Sequence, residues 1–387
     1  MSKMKLKDIA VEKNERVDNP SESPYSIFVG LEHYDSGEAI IRRHGSTEML
    51  ESTMKVFHAG DILVARRNVY LRRAASVDFD GLTSGDSIVL HIENEAYRQI
   101  IPFVLNTDDF WNYANQHADG SMSKRLSPKL LMEYEFSVPD EKLEQITEIL
   151  WAMERTKNAY RELIAKTDEL VKSQFIEMFG LPGENVHGYE VARIGDVVCD
   201  VHYGTSKKAS DNGEYTYLRM NNITYSGELD LTDTKRISIP SKELSGCMVK
   251  KGDVLFNRTN SRDLVGKTCA FNLEEPMIIA GYIIRLRMNG RVLPEYLSTF
   301  LNLDSSKKMF FEMAKGAVGQ ANINAQEVQS IQLVIPPMEA QLPFQRLVEQ
   351  SDKSKFAGAN RNLSSGLFLV KDTLPFGWMR FQRSVVG

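Results

Sequence analysis

GDILVARRNVYLRR (60–73) and GDVLFNRTNSRDLVGK (252–267) are built alike. Each opens with a Gly-Asp turn, continues as a short apolar run and ends in a cluster of Arg and Asn. Asp253 follows Asp61 by 192 positions. Working outward, YSIFVGLEHYDSGE (25–38) answers YTYLRMNNITYSGE (215–228), and both close on Ser-Gly-Glu at an offset of 190. IIPFVLN (100–106) answers STFLN (298–302) at 196, and GSMSKRLSPKLLMEYEFSVP (120–139) answers GQANINAQEVQSIQLVIPP (319–337) at about 198. Matches in one order at a slowly drifting offset predict two copies of one domain, with a period too long for a solenoid. Within a copy, runs such as DILVAR, SIVLHI, VLFNRT and IQLVIP read as strands, bounded by Gly-Asp and Ser-Gly turns. YRQIIPFVLNTDDFWNYANQ (97–116) and PEYLSTFLNLDSSKKMFFEMAK (294–315) have helical spacing. The fold class is α+β, with globular domains expected at 1–140 and 181–337.

A length of 387 residues predicts two or three domains. With 42% apolar and 26% charged residues, packed domains are expected rather than disorder. No apolar run approaches a membrane span, and the opening residues MSKMKLKDIAVEKNER lack the apolar run expected of a signal peptide. Cys199, Cys247 and Cys269 are scattered, without zinc-ligand spacing, which fits a reducing cytoplasm. The net charge is −5, and no segment is strongly basic: −6 over 1–140, −2 over 141–180, zero over 181–337 and +3 over 338–387. If nucleic acid is bound, local patches or a second protein must supply the phosphate contacts.

After Pro139 comes a run without Gly or Pro until Gly180. Positions 143, 146, 150, 153, 157, 160, 164, 167, 171, 174 and 178 alternate by three and four, and most are apolar, which predicts a long spacer helix at 141–180 with a coiled-coil seam. Lys157, Thr167 and Gln174 are polar interruptions of the seam; Ile149, Leu163 and Leu170 lie beside it and widen the apolar stripe. A second helix is expected from 338, with Leu342, Leu347, Val348 and Phe356 on one side, shortened to end near 358 by Gly358, Gly366 and Pro375. Residues 359–387 are expected to be an atypical tail, disordered or weakly packed.

Domain, long helix, domain, helix, together with the Gly-Asp strands, the GQANIN loop (319–324) and the IPPMEAQL run (335–342), resembles the specificity subunit of type I restriction–modification systems over about residues 1–356. The resemblance implies two target-recognition domains, each reading one half of a split double-stranded DNA target. They would be held apart by long helices packed as an antiparallel coiled coil. It further implies docking of methyltransferase subunits on those helices, two in number, which carry S-adenosylmethionine. A restriction subunit would join the complex, while the specificity chain itself has no cofactor and no catalysis.

Readout needs paired donors and acceptors, chiefly Arg to guanine and Asn or Gln to adenine, whereas Lys, Arg, Ser and Thr also hold phosphates. The first copy offers Arg66, Arg67, Asn68, Tyr70, Arg72 and Arg73, with Ser121, Ser123, Lys124 and Arg125 in a second loop. The second copy offers Asn257, Arg258, Asn260, Ser261, Arg262 and Lys267, with Gln320, Asn322 and Asn324 in its loop. Arg42, Arg43 and His44, and Thr205, Ser206, Lys207 and Lys208, are further basic clusters. For any one of these residues a solvated or salt-bridged surface role is the plain alternative. Enzymatic motifs are missing: the only Pro-Pro, in IPPM (335–338), lacks its methyltransferase flanks, SRDLVGKT (261–268) starts with Ser rather than the Gly of a phosphate loop, and no H-E-x-x-H occurs. An adaptor that keeps the architecture without selective binding, and a diverged modification enzyme, stay open as alternatives.

Overall fold

The computed structural model describes residues 2–120, 123–138, 140–314 and 320–371. Ser121, residues 315–319 before Gln320, and 372–387 of the expected tail lie outside the described residues. The chain forms two compact units, one built on the residues up to Ala159, the other on Tyr160–Ala359.

In the first unit a four-stranded sheet has the order Val11–Lys13, Ser87–His91, Ile62–Ala65, Ala74–Ser76. In the second, the order is Val198–Tyr203, Ile283–Met288, Asp253–Asn257, Thr268–Phe271. The same chain positions therefore occupy the same places. A second sheet repeats the correspondence. Met54–Phe57, Gly81–Thr83, Ile27–Val29 and Gly45–Ser46 lie in the same order as Met248–Val249, Met277–Ile279, Tyr215–Leu218 and Lys235–Ile237. The first unit adds a short edge strand, Arg16–Val17. The unusual step is shared too: Ile27–Val29 runs parallel to Gly81–Thr83, and Tyr215–Leu218 parallel to Met277–Ile279. An antiparallel pair closes each unit, Ser2–Lys5 with Glu135–Val138, and Glu190–Arg193 with Gln332–Ile335.

The repeated motifs owe their likeness to shared packing. Ile62–Ala65 and Asp253–Asn257 are buried at every position, as a central strand covered on both faces requires. Gly60 and Gly252 take φ of 90° and 91°, where a Cβ is strained. The Asp after each glycine closes the turn. The Asp61 carboxylate accepts from the His58 amide at 2.9 Å and faces His91 Nδ1 at 2.8 Å. The Asp253 carboxylate accepts from the Lys250 amide at 2.9 Å and from Arg287 at 2.7 Å. Both Asp side chains are buried, so the Gly-Asp element is scaffold. The Leu-Asn pair repeats in the same way: Asn106 Nδ2 donates to the Ala74 and Pro102 carbonyls, and Asn302 Nδ2 to those of Thr268 and Ser298.

The first long helix spans Leu143–Phe179. Every expected seam position along it is buried or half-buried, while Leu163 and Leu170 are exposed. Ile146 and Leu150 enter the core of the first unit, and Trp151 stacks edge-on against Phe103 with centroids 4.9 Å apart. In the second unit the helix buries Phe175 and Phe179, two positions outside the expected seam, against Tyr296 and Phe344.

The second long helix spans Met338–Lys371, so helical backbone continues past 358, where it was expected to end, and into the segment expected to be a tail. A helix-interior Gly costs only about 1 kcal/mol, which does not by itself end a helix. Leu342, expected on the inner side, is exposed; the inward residues are Gln341, Phe344, Leu347, Val348, Ser351 and Lys355. The two helices run antiparallel within this unit: Phe175 and Phe179 meet Phe344, whereas Asp168 and Tyr160 meet Lys355.

Candidate nucleic-acid interface

In each unit the central strand leaves the core and its next residues pair with a loop from some sixty positions downstream. Arg66 and Arg258, 192 positions apart, stand at the equivalent point. The Arg66 amide donates to the Asp86 carbonyl at 2.9 Å, and its carbonyl accepts from the Leu126 amide at 2.8 Å. The Arg258 amide donates to the Tyr282 carbonyl at 2.9 Å, and its carbonyl accepts from the Ile323 amide at 2.9 Å. Among the described residues the buried Nε of each has no hydrogen-bond partner. The downstream loop is held by bridges Arg67–Arg125 in one unit and by Thr259–Asn322 and Asn260–Ala321 in the other. It then enters a short helix capped by Ser127 or Asn324.

The first unit's expected residues divide by exposure and partner. Arg67 and Arg125 are about half exposed and share Asp86, at 3.2 and 3.6 Å. Tyr70 is exposed. Arg72 pairs with Asp108, and Arg73 is tied to the Leu31 and Arg67 carbonyls at 2.9 Å, so both brace the loop. Asn68 and Arg72 adopt left-handed φ of 54° and 52°, a strained geometry that clusters at binding loops. Ser123 Oγ donates to Asn68 Oδ1 at 3.0 Å, and Lys124 Nζ to the Asn115 carbonyl at 2.6 Å.

In the second unit, Arg258 lies over the Tyr203 ring at 4.6 Å, and Tyr203 Oη accepts from the Ala325 amide. Arg262 stacks on Phe311 at 4.0 Å and donates to its carbonyl. Gln320 and Asn322 are exposed; Asn322 Oδ1 accepts from Thr259 Oγ1 at 3.0 Å. Asn260 Oδ1 accepts from the Ser261 amide, Lys207 pairs with Glu243 at 2.8 Å, and Lys208 is exposed.

Two expected contacts sit elsewhere. Asn257 is fully buried at the strand end, and Lys267 is buried with Nζ on the Met220 carbonyl at 2.7 Å. Burial lowers the Lys267 pKa from its ordinary value. Neither has a face left for nucleic acid. Of the further basic clusters, Arg43 pairs with Asp35 at 2.7 Å and Arg42 turns to Glu38 and Glu154.

Sequence reasoning missed Tyr203, Tyr225 and Lys307. Tyr225, Lys307, Lys308, Arg262 and Phe311 line a concavity of about 270 Å³ beside the loop, together with Asp263, Val265 and Asp304. Lys307 donates to the Gly266 carbonyl at 2.8 Å, and burial, helped by Lys172 and Lys267, pushes its pKa down to about 7. Aromatic–basic spacing across three separate segments leaves no local signal. Among the described residues no His, Cys, Asp and Glu group could hold a metal ion, and no helix is long and apolar enough to cross a membrane.

Residues 187–353 match the family model of the type I restriction modification DNA specificity domain. The match lies in the second half of the chain, and the first half repeats the topology of the matched region. A chain assigned as the MjaX type I restriction enzyme specificity subunit of Methanocaldococcus jannaschii is 26% identical over 174 residues, 44% of this chain and 41% of that one. The type I restriction enzyme EcoKI specificity subunit of Escherichia coli is 26% identical over 159 residues, 40% of this chain and 34% of that one. The matched stretches thus span well under half the length of these curated relatives. The crystal structure of the type I restriction–modification system S subunit from M. genitalium superposes with a TM-score of 0.53 at 13% identity, covering 98% of this chain and 95% of that one, a likeness of fold.

Proposed function

We propose that this chain is the DNA-recognition subunit of a type I restriction–modification complex and reads a bipartite duplex target, one half-site per domain. It is not itself an enzyme in this reading. Methyltransferase subunits, two in number, dock on the long helices and supply the adenine methylation, and restriction subunits join through the assembled complex. The observation that carries the reading is the equivalence of Arg66 and Arg258, each presented where a buried strand emerges and each braced by a downstream loop. Backbone so held presents each side chain at a fixed point of the surface, from which a guanidinium can offer two donors to the two acceptors on a guanine edge. Arg67, Asn68, Tyr70, Ser123, Lys124 and Arg125 in one domain, and Asn260, Ser261, Arg262, Lys207, Lys208, Gln320 and Asn322 in the other, surround them as base or phosphate contacts. The test is selection from random duplex DNA by the chain co-produced with a type I methyltransferase subunit. Arg66→Ala should blur one half-site and Arg258→Ala the other. A uniform loss over all sequences would make the arginines phosphate contacts.

A further inference from the structure

The Ser-Gly-Glu motif repeats as faithfully as the strands, yet it lies outside the readout loops. Its glutamate meets a lysine of a long helix in both units. In the first, Lys157 Nζ is 3.0 Å from Glu38 and 2.6 Å from Glu154, and Arg42 lies 3.8 and 3.7 Å from the same two carboxylates. In the second, Lys355 Nζ is 2.7 Å from Glu228 and 4.0 Å from Asp352, and also pairs with Asp168 of the first long helix. Lys355 lies 198 positions after Lys157, Asp352 lies 198 after Glu154, and Glu228 lies 190 after Glu38. The lysines are only 17% and 13% exposed. Gly37 and Gly227 hold φ of 75° and 97°, which sets the turn that delivers each glutamate. A Cβ on Gly227 would meet Asn302 Nδ2 at 2.4 Å, so the turn is locked to the buried Asn of the core.

A partly buried ion pair is a poor source of stability, because desolvation offsets the Coulomb attraction. Its best-attested use is registry: a charge that finds its partner in one alignment only rejects the slipped alignments an apolar seam tolerates. We propose that these two clusters are latches fixing each recognition domain to one register on its helix, and so set the number of unread base pairs between the half-sites; this rests on the DNA-recognition reading above. A slip of one helical turn moves the contact by about 5.4 Å, more than the roughly 3.4 Å of one base-pair step. Lys157, Glu38, Lys355 and Glu228 are then positioning residues that touch no DNA.

The experiment is selection from a duplex library randomised in sequence and gap length, using the chain co-produced with a type I methyltransferase subunit. Glu228→Gln, Glu38→Gln and Lys355→Met are compared with the unaltered chain. Glu228 is 41% exposed, so its amide variant changes packing least and keeps the test valid if the lysine variant fails to fold. The expected result is unchanged half-site sequences with a broadened gap: the preferred gap loses dominance over its neighbours by about fivefold. Folded variants that keep the gap as sharp as the unaltered chain would overturn the latches while leaving the recognition reading intact. If the unaltered chain selects no two-part motif, the recognition reading fails and the latches' role with it.

Discussion

Arg258 is held on the Tyr203 ring, with the backbone fixed on both sides. Arg258→Ala is expected to lower discrimination at one base of one half-site by about 1–3 kcal/mol, read as about 5- to 150-fold in competition binding. Asn106 and Asn302 answer to a different measurement. Each ties its helix to strand carbonyls inside the core, so Asn→Ala at either should cost its own unit about 1–3 kcal/mol in denaturant unfolding, with half-site sequence unchanged. Lys307 gives a pH signature. Its pKa is about 7 in the fold against 10.5 for the ordinary side chain, so between those values the unfolded chain binds a proton that the folded chain does not. Its contribution is therefore complete above about pH 10.5 and is lost as pH falls towards 7. Lys307→Met should remove this slope, so the stability of the unaltered chain relative to the variant rises between pH 7 and 10. A flat difference across that range would contradict the burial. Sequence alone grouped Asn257 and Lys267 with the exposed tip, because an Arg/Asn cluster does not reveal where the strand leaves the core; the structure carries the strand through Asn257.

The helices show why one element was legible and its counterpart was not. The first helix's expected seam positions from Leu143 to Met178 all turn out buried or half-buried, because most are apolar, although Phe175 and Phe179, the most buried residues of its last turns, fall outside that pattern. The second helix repeats that seam 198 positions later as Gln341, Phe344, Val348, Ser351 and Lys355, and three of these five are polar. A hydrophobic pattern cannot find them, so Leu342 drew the expectation instead. Gln341 tolerates burial because its amide is fully used: Nε2 donates to the Arg291 and Pro336 carbonyls, and Oε1 accepts from the Leu293 amide. Gln341→Leu should therefore destabilise the second unit despite raising apolarity, by about 1–3 kcal/mol in thermal unfolding, from the groups left unpaired. Leu163 and Leu170 sit one heptad apart and are more than half exposed. Leu163→Ser with Leu170→Ser should leave the chain's own stability nearly unchanged and weaken capture of a methyltransferase subunit in co-purification. Equal capture would place docking elsewhere.

At the scale of the molecule, one α+β domain is present twice, down to strand order, the parallel step and the hydrogen bonds of single Asn and Asp residues. That duplication was legible from four short echoes, because a Gly-Asp turn, a Leu-Asn pair and a Ser-Gly-Glu turn each do a structural task that tolerates few substitutes. The candidate DNA-contact loops were legible only as neighbourhoods: Tyr203 and Arg258 meet through the fold and not through the chain. A net charge of −5 with no basic domain also bears on binding. The isolated chain should bind DNA weakly and with a shallow salt dependence, and the steeper slope should come with the methyltransferase subunits. The most direct measurement of the central claim is selection from random duplex DNA by the co-produced complex. Two defined half-sites at a fixed gap, one altered by Arg66→Ala and the other by Arg258→Ala, are the predicted result. A single contiguous motif, or none from an assembled complex, would contradict it.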